Sequence, residues 1–195
     1  MNYNRLSRRD FLKLGSVSLA GAFLPSGFVD SISTNAVTLG RVVNGALPIF
    51  EAPSFSARKL SRCWQDMVLP ISKQVEGESN LRNTSTWYRI GREGFAPAAG
   101  LQPVEVRFQK PTAEIRFTGT LAEVTVPFVD VHQTFSANSP RLYRYYYGSP
   151  HWVNKLVHDR EGRAWYRVFD DKFPDRERWV PANRLRVFSD EELAP

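Results

Sequence analysis

Trp165-Tyr166-Arg167-Val168 occurs earlier in the chain as Trp87-Tyr88-Arg89-Ile90. An aromatic-aromatic-basic-aliphatic tetrapeptide seldom arises twice by chance in 195 residues. The residues after each copy also match. The first copy runs through a Gly/charge turn to Phe95-Ala96-Pro97-Ala98 and Leu101, the second through a charged loop to Trp179-Val180-Pro181-Ala182 and Leu185. The Trp-to-Pro spacing is 10 residues in the first copy and 16 in the second, and the Trp-to-Leu spacing is 14 and 20. Both differ by the same six residues, so one insertion within residues 170–178 accounts for both. Repetition of this kind marks a duplicated domain.

Working outward, short apolar and aromatic runs alternate with Gly, Pro and Asn punctuation. Asn44-Gly45 is a turn signal between Val42-Val43 and Leu47-Pro48-Ile49-Phe50. Lys59 to Trp64, Met67 to Val75, Thr86 to Ile90 and Leu101 to Val104 read as strands, with Pro70 marking an edge or a bulge. In the second half, Glu123 to Val126, Phe128 to Val131, Arg141 to Tyr147 and Leu185 to Val187 read likewise, and His151 to Val168 reads as a hairpin around Asp159 to Gly162. Strands this short and regular predict an all-β chain of two small barrels. The modules are expected at residues 41–104 and 123–188. Residues 105–122 form a connecting segment whose Val106, Phe108, Ile115 and Phe117 predict packing along one module. Residues 31–40 read as a tether, and 189–195 as a polar tail or the start of a linker.

Modules of this size sit near the lower limit for an independent core. Five Trp, seven Tyr and thirteen Phe supply the packing area that such cores need. The net charge of +6 suits an anionic polymer, but it reads first as the mixed surface charge that keeps a small domain soluble. The one cysteine, Cys63, excludes an internal disulfide and a Cys-based metal site, and it reads as a small buried hydrophobe.

Ser7-Arg8-Arg9-Asp10-Phe11-Leu12-Lys13 precedes an apolar, Gly/Ala-rich run from Leu14 to Leu24. Arg8, Arg9, Phe11, Leu12 and Lys13 closely resemble the twin-arginine export signal. The resemblance implies that residues 1–30 direct the folded protein through the twin-arginine translocation machinery to the cell envelope or beyond. Cleavage near Ala22 and retention as a membrane anchor both remain open.

Little in the sequence suggests catalysis, which needs a nucleophile or metal with a base placed to serve it. None of His132, His151 and His158 lies beside Cys63 in sequence. His151 and His158 are seven residues apart, which on a regular strand puts them on opposite faces, so they read as two surface histidines. No Gly-rich phosphate loop opens a helix. No cofactor and no metal are expected. The remaining constellation is aromatic: Trp87, Tyr88, Phe95, Tyr145, Tyr147, Trp152, Trp165, Tyr166 and Trp179, with Arg89 and Arg167 beside the repeated pairs. Neighbours on a strand face opposite ways, so one member of each Trp-Tyr pair is expected in the core and the other along a groove. Tyr145 and Tyr147 are expected on one face. Such grooves suit extended peptides, glycans or single-stranded nucleic acid, and export argues against nucleic acid.

Each repeat is similar to bacterial SH3-like domains, with Gly91 to Phe95 matching their Gly-x-x-Gly-aromatic turn in the first copy only. The whole arrangement resembles the N-terminal region of exported L,D-transpeptidases, including a junction at Leu121 to Phe128. That family's catalytic domain carries a Ser-His-Gly-Cys type motif, and here no His is followed by Gly while Cys63 is followed by Trp64. The resemblance implies an exported, non-catalytic tandem SH3-like protein that binds peptidoglycan peptides or glycan. The alternative is an accessory subunit for a separately encoded transpeptidase, or a truncated or split one.

Overall fold

A computed structural model describes residues 38–79, 85–169 and 176–193. The export-signal residues Arg8, Arg9, Phe11, Leu12 and Lys13, and most of the charged insertion, lie outside the described residues.

The first module has seven strands: β1 (Thr38–Val42), β2 (Ala46–Phe50), β3 (Lys59–Trp64), β4 (Val68–Glu76), β5 (Thr86–Ile90), β6 (Gly94–Pro97) and β7 (Leu101–Val104). The second repeats the plan: β8 (Thr120–Val124), β9 (Phe128–His132), β10 (Arg141–Tyr146), β11 (Pro150–His158), β12 (Ala164–Val168), β13 (Trp179–Pro181) and β14 (Leu185–Val187). A single helical turn, α1 (Asp190–Leu193), comes after them. The strand orders are β3-β2-β6-β5-β4-β1-β7 and β10-β9-β13-β12-β11-β8-β14, all antiparallel pairs and identical position for position. The chain is therefore two tandem antiparallel β domains.

The duplication extends to the irregularities. The register shifts between Ile71 and Lys73 in β4, and between Val153 and Lys155 at the matching place in β11. A second shift falls where β2 meets β3 and again where β9 meets β10. Bulges bend a strand and increase its twist. Two sheets with the same bulges therefore curl the same way, and each wraps around its own core. In the first module, Val42, Leu47, Ile49, Cys63, Leu69, Ile71, Ile90, Ala96 and Leu101 form one cluster to which every strand contributes. Val124, Val129, Val131, Val153, Tyr166, Val168, Val180 and Leu185 form its counterpart. Each fully buried side chain of this size contributes about 1.5–3 kcal/mol.

Two boundaries differ from the expectation. β1 begins at Thr38, inside the stretch 31–40 read as a tether, because Leu39 and Gly40 pair with Pro70 and Leu69 of β4 and with Val104 and Pro103 of β7. β8 begins at Thr120, inside the connecting segment, because Thr120 to Glu123 pair with β11. In both places pairing across the sheet outweighs a polar or Gly-containing local sequence. The Asn44-Gly45 turn is present, yet it joins β1 and β2, which are not sheet neighbours, so it turns the chain across the barrel instead of closing a hairpin. Gly94 has φ 152°, and a Cβ there would lie 2.4 Å from the Phe50 carbonyl oxygen, so the β5–β6 turn requires glycine.

The remainder of the connecting segment runs along the second module through backbone hydrogen bonds and Ile115, but Val106, Phe108 and Phe117, expected to pack, are exposed. The Arg107 and Gln109 amides donate to the carbonyls of Thr125 and Asn183, and Ile115 lies against the second core. The hydroxyl of the buried Tyr166 accepts from the Thr112 amide at 2.9 Å and donates to the Thr112 carbonyl at 3.2 Å. A buried phenol needs such partners, and the segment supplies both.

Candidate binding cleft

In the repeated tetrapeptide, each tyrosine faces the barrel interior: Tyr166 belongs to the second core and Tyr88 packs against the first. Each tryptophan lies on the opposite face, as strand alternation requires. Neither lines a groove. Trp87 is fully buried and Trp165 is 2% exposed, so the expectation of one groove-facing member per pair is corrected. The outer face carries a second small cluster. Trp87 meets Phe50 edge-on at 5.6 Å and Phe55 at 4.8 Å, and its Nε1 donates to the Glu78 carbonyl. Trp165 meets His132 edge-on at 5.5 Å, and its Nε1 donates to Asp159 Oδ2 at 2.9 Å. Burial works to raise the Asp159 pKa, but the bonds from Trp165 and Arg163 outweigh it and hold the carboxyl at about 2.

The other expected groove residues separate similarly. Trp179 is buried against Phe135, and Phe95 is half-buried. Arg167 donates from Nε to Asn154 Oδ1 and pairs with Glu177, so it is held by its own module, whereas Arg89 is exposed. Tyr147 lies beyond the end of β10, beside Arg107, Gln109, Thr125 and Arg186, so it does not share a cleft with Tyr145.

Tyr145 and Trp152 do come together. They line an open cleft of about 410 Å³ with Thr118, Pro150, His151, Val168 and Phe169. The Tyr145 and His151 rings stack at 3.5 Å with 23° between planes. His151 is thus a half-buried cleft residue and not a surface histidine, and burial lowers its pKa to about 4, so the ring is neutral at neutral pH. Ser149 Oγ donates to the Tyr146 carbonyl at 2.6 Å and lies 2.9 Å from His151 Nε2. The hydroxyl proton is thereby committed, so Nε2 carries the imidazole proton and Nδ1 the lone pair. Trp152 is 51% exposed.

Register across the duplication shows why the cleft belongs to the second module. Pairing of β4 with β5 and of β11 with β12 makes Leu69 the counterpart of His151 and Pro70 that of Trp152. Pairing of β3 with β2 and of β10 with β9 makes Cys63 the counterpart of Tyr145. Cys63 and Leu69 are buried core residues at 2% and 4% exposure. The same two places in the second module hold polar, stacked rings that open to solvent. His151 was legible only indirectly, as the residue six beyond Tyr145 across the Gly148-Ser149-Pro150 turn. Cys63 itself is inert: burial, then the nearby Glu93 charge, push its thiol up to about 11.

No family model and no curated protein matches the chain. Among solved structures, NlpC1 from Trichomonas vaginalis is 14% identical, with 84% of this chain and 50% of that one covered at a TM-score of 0.29. The CBD of endolysin LysPBC5 is 8% identical, with 80% and 98% covered at 0.30. Ly7917 is 11% identical, with 83% and 75% covered at 0.29. This chain spans about half the length of NlpC1. At these TM-scores the likenesses carry no argument about activity.

Proposed function

We propose that this chain is an exported, non-catalytic cell-wall protein whose two SH3-like modules serve peptidoglycan binding. The observation that carries this reading is the Tyr145–His151–Trp152 cleft, in which Tyr145 and His151 stand where Cys63 and Leu69 are closed apolar core in the first module. A module that exchanges buried Cys and Leu for solvent-facing rings gives up core burial, and a ligand is the simplest return for that loss. The twin-arginine resemblance and the resemblance to the N-terminal region of L,D-transpeptidases support an envelope location and a wall polymer as partner. A protonated, buried Cys63 supports a binding role over thiol catalysis.

Sedimentation with purified peptidoglycan tests the reading. The folded protein is expected in the pellet at low and at moderate salt, and a Trp152→Ala variant largely in the supernatant. Failure of the native protein to sediment under either condition overturns it. Changing Arg8 and Arg9 to Lys is expected to leave the protein in the cytoplasm, and normal export of that variant removes the export proposal.

A further inference from the structure

We infer that the second-module cleft takes an uncharged sugar ring, stacked on the exposed face of Trp152, and not a peptide. This rests on the cell-wall reading above and names which part of the polymer is held.

The seating of Trp152 is the first observation behind it. Gly119 has φ 111°, and a Cβ there would lie 3.3 Å from Cε3 of Trp152. The Gly119 backbone thus passes close against one side of the indole, where an added Cβ would press on the ring and the positive φ favours glycine. The Phe169 amide donates to the Trp152 carbonyl, which holds the strand beneath the ring. With its backbone held, one side against Gly119 and the ring 51% exposed, Trp152 offers a flat apolar surface. A pyranose presents a face of C–H bonds that matches such a surface, with hydroxyls around its rim.

The second observation is charge. Among the described residues, the cleft lining contains no carboxylate, ammonium or guanidinium group: it is Thr118, Tyr145, Pro150, His151, Trp152, Val168 and Phe169. Half-buried and stacked on Tyr145, His151 is neutral at neutral pH. A peptide with free carboxylate or ammonium groups placed here would bring its charges to a lining that offers them no opposite charge. A neutral ring needs none.

The third is the polar complement. The lining supplies the Thr118 hydroxyl, the Tyr145 phenol and an imidazole whose Nε2 proton is directed to Ser149. The Tyr145 hydroxyl lies 3.3 Å from that of Tyr143. Neutral groups that both donate and accept match the hydroxyls and amides on a sugar's rim. The counterpart positions in the first module, Cys63, Leu69 and Pro70, offer none of this, so one module carries the site.

The experiment titrates the whole protein, by tryptophan fluorescence and calorimetry, with a β-1,4-linked N-acetylglucosamine tetrasaccharide and separately with a free peptidoglycan stem peptide. Saccharide binding is expected, roughly tenfold or more weaker in Trp152→Ala and intermediate in Trp152→Phe. Trp64→Ala, which alters an exposed ring on β3 of the other module, is expected to bind as the native protein does. Affinity is expected to change little between about 50 and 500 mM salt, since no ion pair is formed. Peptidoglycan retention with stem-peptide binding and no saccharide binding overturns this inference and leaves the wall-binding reading standing. Saccharide binding without peptidoglycan retention does the reverse. Saccharide binding unaffected by Trp152→Ala also overturns the inference.

Discussion

Asp66 Oδ2 accepts from Arg144 Nη1 at 2.6 Å, and so ties the β3–β4 turn of the first module to β10 of the second. Its Oδ1 accepts from Arg41 Nη1 at 2.9 Å, while Arg144 Nε donates to Asp130 at 2.7 Å. The chain Arg41–Asp66–Arg144–Asp130 therefore alternates in charge across the junction. Arg41 also lies 4.1 Å from the Tyr146 ring centre, and Gln102 donates to the Tyr147 carbonyl. Two tethered modules need not adopt one arrangement, and this cluster gives them one.

Asp66 has a φ of 67°, the left-handed region that Asn tolerates and Ala does not. Replacing it leaves Arg41, only 6% exposed, without its carboxylate. Asp66→Asn is expected to cost about 2–3 kcal/mol through the lost charge-assisted bonds, and Asp66→Ala more, because backbone strain is added. Urea unfolding reads both. Equal loss in the two variants shows that the left-handed turn contributes nothing.

Trp165 and Trp152 should separate cleanly in their effects. Trp165→Ala is expected to cost about 3–5 kcal/mol as a buried tryptophan. Trp152→Ala should stay within about 0.5 kcal/mol, because its ring is half in solvent. Chemical denaturation checks both values, and peptidoglycan sedimentation checks the binding role of Trp152. Asp159, which accepts from Trp165 Nε1, has its pKa lowered to about 2, so the stability it confers is present above the ordinary Asp value near 3.8 and is lost as pH falls towards 2.

His151 has the opposite charge type and the same sense of pH dependence. Burial holds its pKa at about 4 against 6.5 in the unfolded chain. Between those values the unfolded state binds the extra proton, so stability is full above about 6.5, declines as pH falls, and levels off below about 4. His151→Phe is expected to flatten the melting temperature across that window. A native slope retained in the variant shows that other groups produce it.

Cys63 should resist alkylation at pH 8 in the native state and react fully on unfolding, because its thiol titrates at about 11 within the core. Mass spectrometry of iodoacetamide-treated protein reads this directly. Rapid labelling of the folded protein would reopen thiol chemistry for the chain.

Much of the architecture was legible because strands are short-range statements. Lys59–Trp64, Thr86–Ile90 and Leu101–Val104 occur with the bounds that their β-branched, aromatic and turn residues implied. The two tandem β domains were already implied by one repeated tetrapeptide. The cleft was half legible: Tyr145 and Trp152 stood among the expected aromatics, but so did Trp87, Trp165 and Trp179, all buried. Alternation tells which side of a strand a ring takes. It does not tell whether that side is covered, and here Phe55 and His132, from other parts of the chain, cover it.

The tetrapeptide at Trp165 by itself determined that the chain is duplicated, that both copies are β, and that Trp and Tyr take opposite faces, since local pattern and period dictate all three. Only the tertiary structure decided that neither tryptophan lines a groove and that the open site is the counterpart of Cys63, Leu69 and Pro70. The physical reason is that exposure belongs to no residue alone: it depends on which distant strands and loops remove it from water, as Phe55 does for Trp87 and His132 for Trp165.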